Sequence, residues 1–202
     1  RRIPMRHAST ALSRADLSAF ITQWRSRTGV LLIAGIATYN MALIALMTMT
    51  PFFAQRTLGF SPAQAGIAFA IAMLAGSIGQ PLVGRLSDRQ GRFGIFLVSS
   101  IVAATLAIAV VLFDSPPLVI SLLTLAMAVL VAIRSGVLAM AVDHASKHEA
   151  TALGFIFVVL DGVGALGAVL AGLVGDFHLV ASFALAGGFS IIAVIFIAAS
   201  RR

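Results

Sequence analysis

Cysteine is absent from the 202 residues of this chain, so no disulfide framework and no thiolate metal site exist, and the redox compartment stays open. Charge is scarce as well. Asp, Glu, Lys and Arg make up 10% of the residues, against about 25% in an ordinary soluble domain. A chain so poor in charge cannot cover a water-facing surface. The acids number only seven, and no Ser-His-Asp set, phosphate-binding loop or paired catalytic carboxylates can be assembled. The sequence therefore carries no sign of an enzyme and none of a cofactor. What it has instead is apolar: 60% of the residues are hydrophobic and the mean hydropathy is +1.06. The natural solvent for most of this chain is lipid. The net charge of +7 and a pI near 11.7 would suit nucleic acid, but the basic residues sit at the ends of apolar runs. That placement reads as membrane orientation, with no nucleic-acid partner.

Six apolar runs follow one another, at 28–53, 62–86, 93–113, 118–142, 151–174 and 180–200. Each is long enough as a helix to cross a hydrocarbon core of about 30 Å. Helices are expected because lipid offers backbone groups no partner, and no period-2 alternation points to a barrel. The second run has a clear start. Ser61 suits an N-cap, Pro62 the first helical position, and Gln64 completes a capping box.

Lys and Arg fix the orientation. With six spans, Arg1, Arg2, Arg6, Arg14, Arg25, Arg27, Arg85, Arg89, Arg92, Lys147, Arg201 and Arg202 all fall on one side. The other side has Arg56, and Arg134 lies inside the fourth span. The positive-inside rule places both ends in the cytoplasm of a cell (inner) membrane.

Residues 1–27 form a segment of their own, ahead of the membrane domain at 28–202. Leu17, Phe20, Ile21 and Trp24 recur at helical spacing, and Ser13 with Asp16 could form a capping box. An amphipathic helix lying on the cytoplasmic surface is expected here, with a disordered basic linker as the alternative. No signal peptide is evident. The chain begins with Arg1 rather than Met, so a fragment of a longer protein is expected.

The most informative stretch is Gly84-Arg85-Leu86-Ser87-Asp88-Arg89-Gln90-Gly91-Arg92, read as a basic turn between the second and third spans. An internal match accompanies it. Gly76, Gly79, Leu82, Gly84 and Asp88 in span two are matched by Gly164, Gly167, Leu170, Gly172 and Asp176 in span five, at a constant offset of 88 residues. Span two runs inward and span five outward, as in the inverted repeats of transporters. The small residues also have a plainer use. Gly164, Ala168 and Gly172 let two helices approach closely, as any membrane bundle requires. Both uses can hold, since sliding helices need smooth faces.

That stretch resembles the signature turn of the major facilitator superfamily, G-x-L-[AS]-D-[RK]-x-G-[RK]-[RK], with Phe93 in place of the last basic residue. The resemblance covers nearly the whole chain. It implies an all-α membrane protein: six transmembrane helices as a 3+3 inverted repeat, half of a twelve-helix transporter. The basic lead resembles that family's central linker. Span five carries Asp161-Gly162-x-Gly164-x2-Gly167 without the Pro of many antiporter first halves. Both favour the C-terminal half. The resemblance further implies that Asp88 meets a helix N-terminus in the opposite half while Arg89 and Arg92 pair nearby acids. With Gly84 and Gly91 shaping the turn, this would be a latch that breaks as the halves rock; the plainer alternative is a solvated basic turn set by the positive-inside rule. A carboxylate at a helix N-terminus gains about 0.3–1 kcal/mol.

Ionisable groups at membrane depth are costly and point to function. Two occur, Arg134 in span four and Asp161 in span five. At ~1.5 Å rise per residue both lie roughly 12–16 Å from the cytoplasmic ends. Tyr39 and Asn40 in span one reach a similar level, and Gln80 in span two is shallower. Arg134 and Asp161 could form one ion pair. The family's helix packing would instead set Asp161 by Tyr39 or Asn40, and Arg134 by Gln80. Arg134 is a candidate binder of an anionic substrate group or of a carboxylate in the other half. Asp161 is the candidate proton carrier, because removal from water favours the neutral carboxyl. The plainer alternative for each is a structural pair or hydrogen-bonded anchor.

Asp143, His144, His148 and Glu149 have ligand-like spacing. Lys147 lies among them, and a hydrated loop explains them better than a metal site. The expectation is thus a secondary transporter of a small solute by alternating access, proton-coupled as symporter or antiporter, working against a second six-helix half or another copy. The alternative is a non-transporting helix bundle acting as a sensor or assembly partner.

Overall fold

The computed structural model describes residues 14–145 and 149–201. Among the described residues six helices, Arg27–Arg56, Pro62–Gln90, Arg92–Leu112, Pro116–Ala145, Thr151–Phe177 and Ala181–Ala199, are long and apolar enough to cross a membrane. They are α2 (Arg27–Arg56), α3 (Pro62–Gln90), α4 (Arg92–Ala109, ending in a 3-10 turn Val110–Leu112), α5 (Pro116–Ala145), α6 (Glu149–Val158) continuing into α7 (Gly164–Phe177), and α8 (Ala181–Ala199). A short helix α1 (Arg14–Arg25) precedes them.

Local chemistry sets the helix ends. Ser26 caps α2, its hydroxyl accepting from the Gly29 N–H at 3.1 Å. At the start of α3, Ser61 accepts from the Gln64 N–H at 3.2 Å while the Gln64 side chain accepts from the Ser61 N–H at 2.8 Å. Pro51 and Pro81 lie inside α2 and α3, which a bundle tolerates because neighbours meet the freed carbonyls. The segment expected as a turn after span two is mostly helix. α3 runs on to Gln90, α4 starts at Arg92, and only Gly91 intervenes, at φ 94°. A side chain there would be strained. The helix continues because Ser87 is buried against the neighbouring α5, with Gly136 opposite its hydroxyl.

α2 and α5 are the central helices. α2 packs on α7 and α8, α5 packs on α3 and α4, and α4 also packs on α8. Exchanging α2 with α5, α3 with α7, and α4 with α8 leaves this set of pairs unchanged. The core lies between the central helices and their neighbours, with Ile36, Tyr39, Leu43, Leu123, Leu130 and Leu160 fully buried. By contrast α3 shows Ile67, Ile71, Leu74, Ile78 and Leu82 at its surface, and α7 shows Leu166, Val169 and Leu173. Such stripes suit lipid or another apolar wall.

Span five is not one regular helix. Between α6 and α7 the backbone widens into a π-helical turn, Val159–Val163, which contains Asp161. Such turns are frequent at functional sites.

α1 lies against the end of the bundle that carries Arg85, Arg89 and Arg92. Phe20 and Trp24 are buried and Ile21 is exposed. Both buried rings meet Phe155, at 5.9 and 5.4 Å, and Trp24 meets the His144 ring at 4.9 Å. Gln23 donates to the His144 carbonyl. The expected Ser13 cap, the side chains of Asp16 and Leu17, residues 1–13, Lys147 and His148 lie outside the described residues, as does the Glu149 side chain.

Candidate functional site

Tyr39, Asn40, Arg134 and Asp161 gather on three neighbouring helices, α2, α5 and the π-helical turn of span five. Tyr39 on α2 is fully buried, and its hydroxyl donates to the Leu130 carbonyl of α5 at 2.5 Å. Its ring meets Phe96 at 6.0 Å. Asn40, the next residue, points to the opposite neighbour: its amide nitrogen donates to the Leu160 carbonyl in the π-helical turn. One residue further along that turn stands Asp161, whose Oδ1 is 3.9 Å from Nη2 of Arg134 on α5.

Arg134 and Asp161 therefore face each other, the first of the two arrangements open from the sequence. Asp161 makes no hydrogen bond with Tyr39 or Asn40; Asn40 reaches the carbonyl beside it. Gln80 is half-buried and makes no hydrogen bond or ion pair with the described residues. The ion pair is open. Its separation lies beyond hydrogen-bond range, and the side chains are 32% and 70% exposed for Arg134 and Asp161. Two opposite charges thus stand side by side on a partly uncovered face of the helix bundle.

The matched glycines place these helices. A Cβ on Gly164 would fall on the Asn40 amide, and one on Gly167 on the Met41 backbone, so α7 lies directly against α2. In the same way Gly76 and Gly79 of α3 lie against Val131 and Ala132 of α5. Gly172 and Gly84 have only ordinary contacts, 3.9 Å to Met49 and 3.8 Å to Ser135.

A second cluster lies at the basic end. Arg92 donates through Nη1 to the Ala139 carbonyl at 2.8 Å and pairs with the Asp143 carboxylate. Its Nε is 3.6 Å from Asp88. Arg89 and Arg85 form no salt bridge with the described residues. Asp143, grouped above with the histidines, thus serves as the partner of Arg92, and among the described residues no group of three metal-ligating side chains occurs. The sequence does hold a signal for this pair: an acid in the last turn of span four, on the same side as a basic stretch. The docking of Trp24 on His144 had no local signal.

A family model described as Major Facilitator Superfamily matches residues 30–202. No curated protein and no solved structure matches the chain.

Proposed function

The chain belongs to the major facilitator superfamily, whose members carry small solutes across lipid bilayers, and we propose that its six spans form one wall of an alternating-access carrier driven by protons. The observation that carries this reading is the Arg134–Asp161 pair. Asp161 is 70% exposed near the middle of its span. A carboxylate there cannot face hydrocarbon at tolerable cost, so its face borders a polar path or a second wall. In this reading Asp161 takes up the proton and Arg134, released from it, holds an anionic group of the solute. Tyr39 and Asn40 brace the two helices that carry them, and Gln80 lies nearer the cytoplasmic mouth.

The second wall is another six-helix half, and this chain is the C-terminal one, with α1 as part of the linker between them. The helix pairs that survive exchange of the two triplets, and the parallel contacts of Gly76 and Gly79 with Gly164 and Gly167, support a 3+3 inverted repeat. Those smooth contacts would let paired helices shift during rocking. Gly84, Asp88, Arg89, Gly91 and Arg92 form the latch that favours the state closed to the cytoplasm. The basic end is cytoplasmic, in the inner membrane of the cell.

Uptake of small organic anions into vesicles, with and without an imposed proton gradient, tests the reading. Asp161→Asn is expected to abolish proton-driven uptake while leaving membrane insertion intact. Proton-coupled transport that persists in Asp161→Asn removes Asp161 as the carrier.

A further inference from the structure

We propose that Asn40 is a positioning residue for Asp161: its side-chain amide holds open the π-helical turn Val159–Val163, and that turn sets Asp161 opposite Arg134. The inference rests on the reading of Arg134 and Asp161 as the working pair, but its test does not require transport.

A π-helical turn carries one residue more than an α-helix needs and is rare, so a contact that favours it over the regular helix is expected beside it. The contact here comes from α2. Asn40 is fully buried, and its amide nitrogen donates to the Leu160 carbonyl inside the turn. That carbonyl also accepts from the Gly164 N–H, which is shared with the carbonyl of Asp161 itself. Two lone pairs accommodate both donors. A carbonyl only accepts, so the Asn40 amide must present its nitrogen. Its oxygen is left buried and without a hydrogen-bond partner among the described residues. An unmet buried acceptor is costly. Leucine, of similar size, would bear no such cost. What the amide adds over leucine is the donor aimed at the turn.

The fit is close on the other side as well. Gly164 leaves room for the Asn40 amide, and Gly167 lets the α2 backbone descend onto α7. Asn40 thus lies in a groove shaped for it, directly over the turn. Loss of the extra residue from the turn would rotate one side of span five against the other by about 100°, carrying Asp161 away from Arg134. A shift of α2 relative to span five would reach the carboxyl through this one hydrogen bond. The pair opens or closes with the wall, without solute needing to touch Asp161.

The chain has no cysteine, so introduced pairs report register without background. In membranes containing the full chain, Arg134→Cys/Asp161→Cys is cross-linked with a short thiol reagent, with Ser87→Cys/Gly136→Cys as a control on the fold. Adding Asn40→Leu or Asn40→Ala is expected to lower the first cross-link about tenfold, the factor that loss of one ordinary hydrogen bond produces. Cross-linking is expected to appear instead at Arg134→Cys/Gly162→Cys or Arg134→Cys/Leu160→Cys. Asn40→Ser, which keeps a donor, is expected to recover the native pair. In chains with both charges intact, the Asp161 carboxylate infrared band, identified by its absence in Asp161→Asn, is expected to move in Asn40→Leu and to return in Asn40→Ser. A normal 134–161 cross-link in either apolar variant that keeps the control pair overturns the proposal. Failure of Asn40→Ser to recover overturns it too, since packing and not the donor would then hold the turn.

Discussion

Arg92, the first residue of α4, holds Asp143 near the end of α5, 51 residues further along the chain. The same guanidinium caps the Ala139 carbonyl at 2.8 Å and lies 3.6 Å from Asp88. One cation thus ties the ends of α3, α4 and α5 together. The side chains of Arg92 and Asp143 are 31% and 61% exposed, so solvent screens much of their attraction. Asp143→Asn is expected to cost about 0–1 kcal/mol, shrinking as salt is added. Arg92→Ala also loses the carbonyl bond and is expected to cost about 1–2 kcal/mol. Thermal unfolding in lipid nanodiscs at low and high salt checks the order. A larger loss for Asp143→Asn than for Arg92→Ala would mean that the carbonyl contact is not holding α5.

Gly167 offers a sharper contrast. A Cβ there would come within 3.0 Å of Met41 backbone atoms, which cannot step aside as a flexible side chain can. Gly154 has open space around the same position. Gly167→Ala is expected to destabilise by about 1–3 kcal/mol through overpacking. Gly154→Ala is expected to be neutral, or to stabilise by up to about 1 kcal/mol from helix propensity. Equal melting temperatures for the two variants would contradict the direct approach of α7 to α2.

The contrast also marks what the sequence can and cannot tell. Continuous apolar runs reveal spans because lipid demands them, and Ser61, Pro62 and Gln64 reveal a helix start because their chemistry is local. Arg134 and Asp161 stand out because charge is rare in lipid. The π-helical turn was not legible. It depends on Asn40, 120 residues before Leu160, and no pattern within span five encodes a partner on span one. The continuation of α3 through Arg89 was hidden for a related reason. A hydrophilic stretch reads as a turn until the burial of Ser87 against α5 is known. Asp143 was legible as an acid but not as the partner of Arg92, since a hydrated loop accounts for it without any partner 51 residues earlier in the chain.

Orientation can be tested directly in a chain without cysteine. Arg89 and Arg201 are exposed at the basic end, while Thr57, Asp114 and His178 are exposed at the opposite end. Single cysteines at 89 and 201 are expected to react with an impermeant maleimide only from the cytoplasmic side. Those at 57, 114 and 178 are expected to react only from outside. Labelling of 89 and 114 from the same side would break the six-span arrangement.

Tyr39 provides the last test, because its hydroxyl and its ring do separable work. The hydroxyl donates to Leu130 at 2.5 Å, joining α2 to α5 in the buried interior. Leu130 lies mid-helix, so its carbonyl keeps an intrahelical donor when the hydroxyl is removed. The loss in Tyr39→Phe is therefore one net hydrogen bond, about 0.5–1.5 kcal/mol, in keeping with the modest worth of such bonds between membrane helices. Tyr39→Leu also gives up the edge contact with Phe96 at 6.0 Å and leaves a cavity. It is expected to cost roughly 2–3 kcal/mol. Unfolding measurements on the two variants separate the terms. A loss in Tyr39→Phe as large as in Tyr39→Leu would show that the hydroxyl, and not the ring, holds the two central helices together. The placement of Arg134 would then depend on that one bond, since Arg134 stands one turn beyond Leu130 on the same helix.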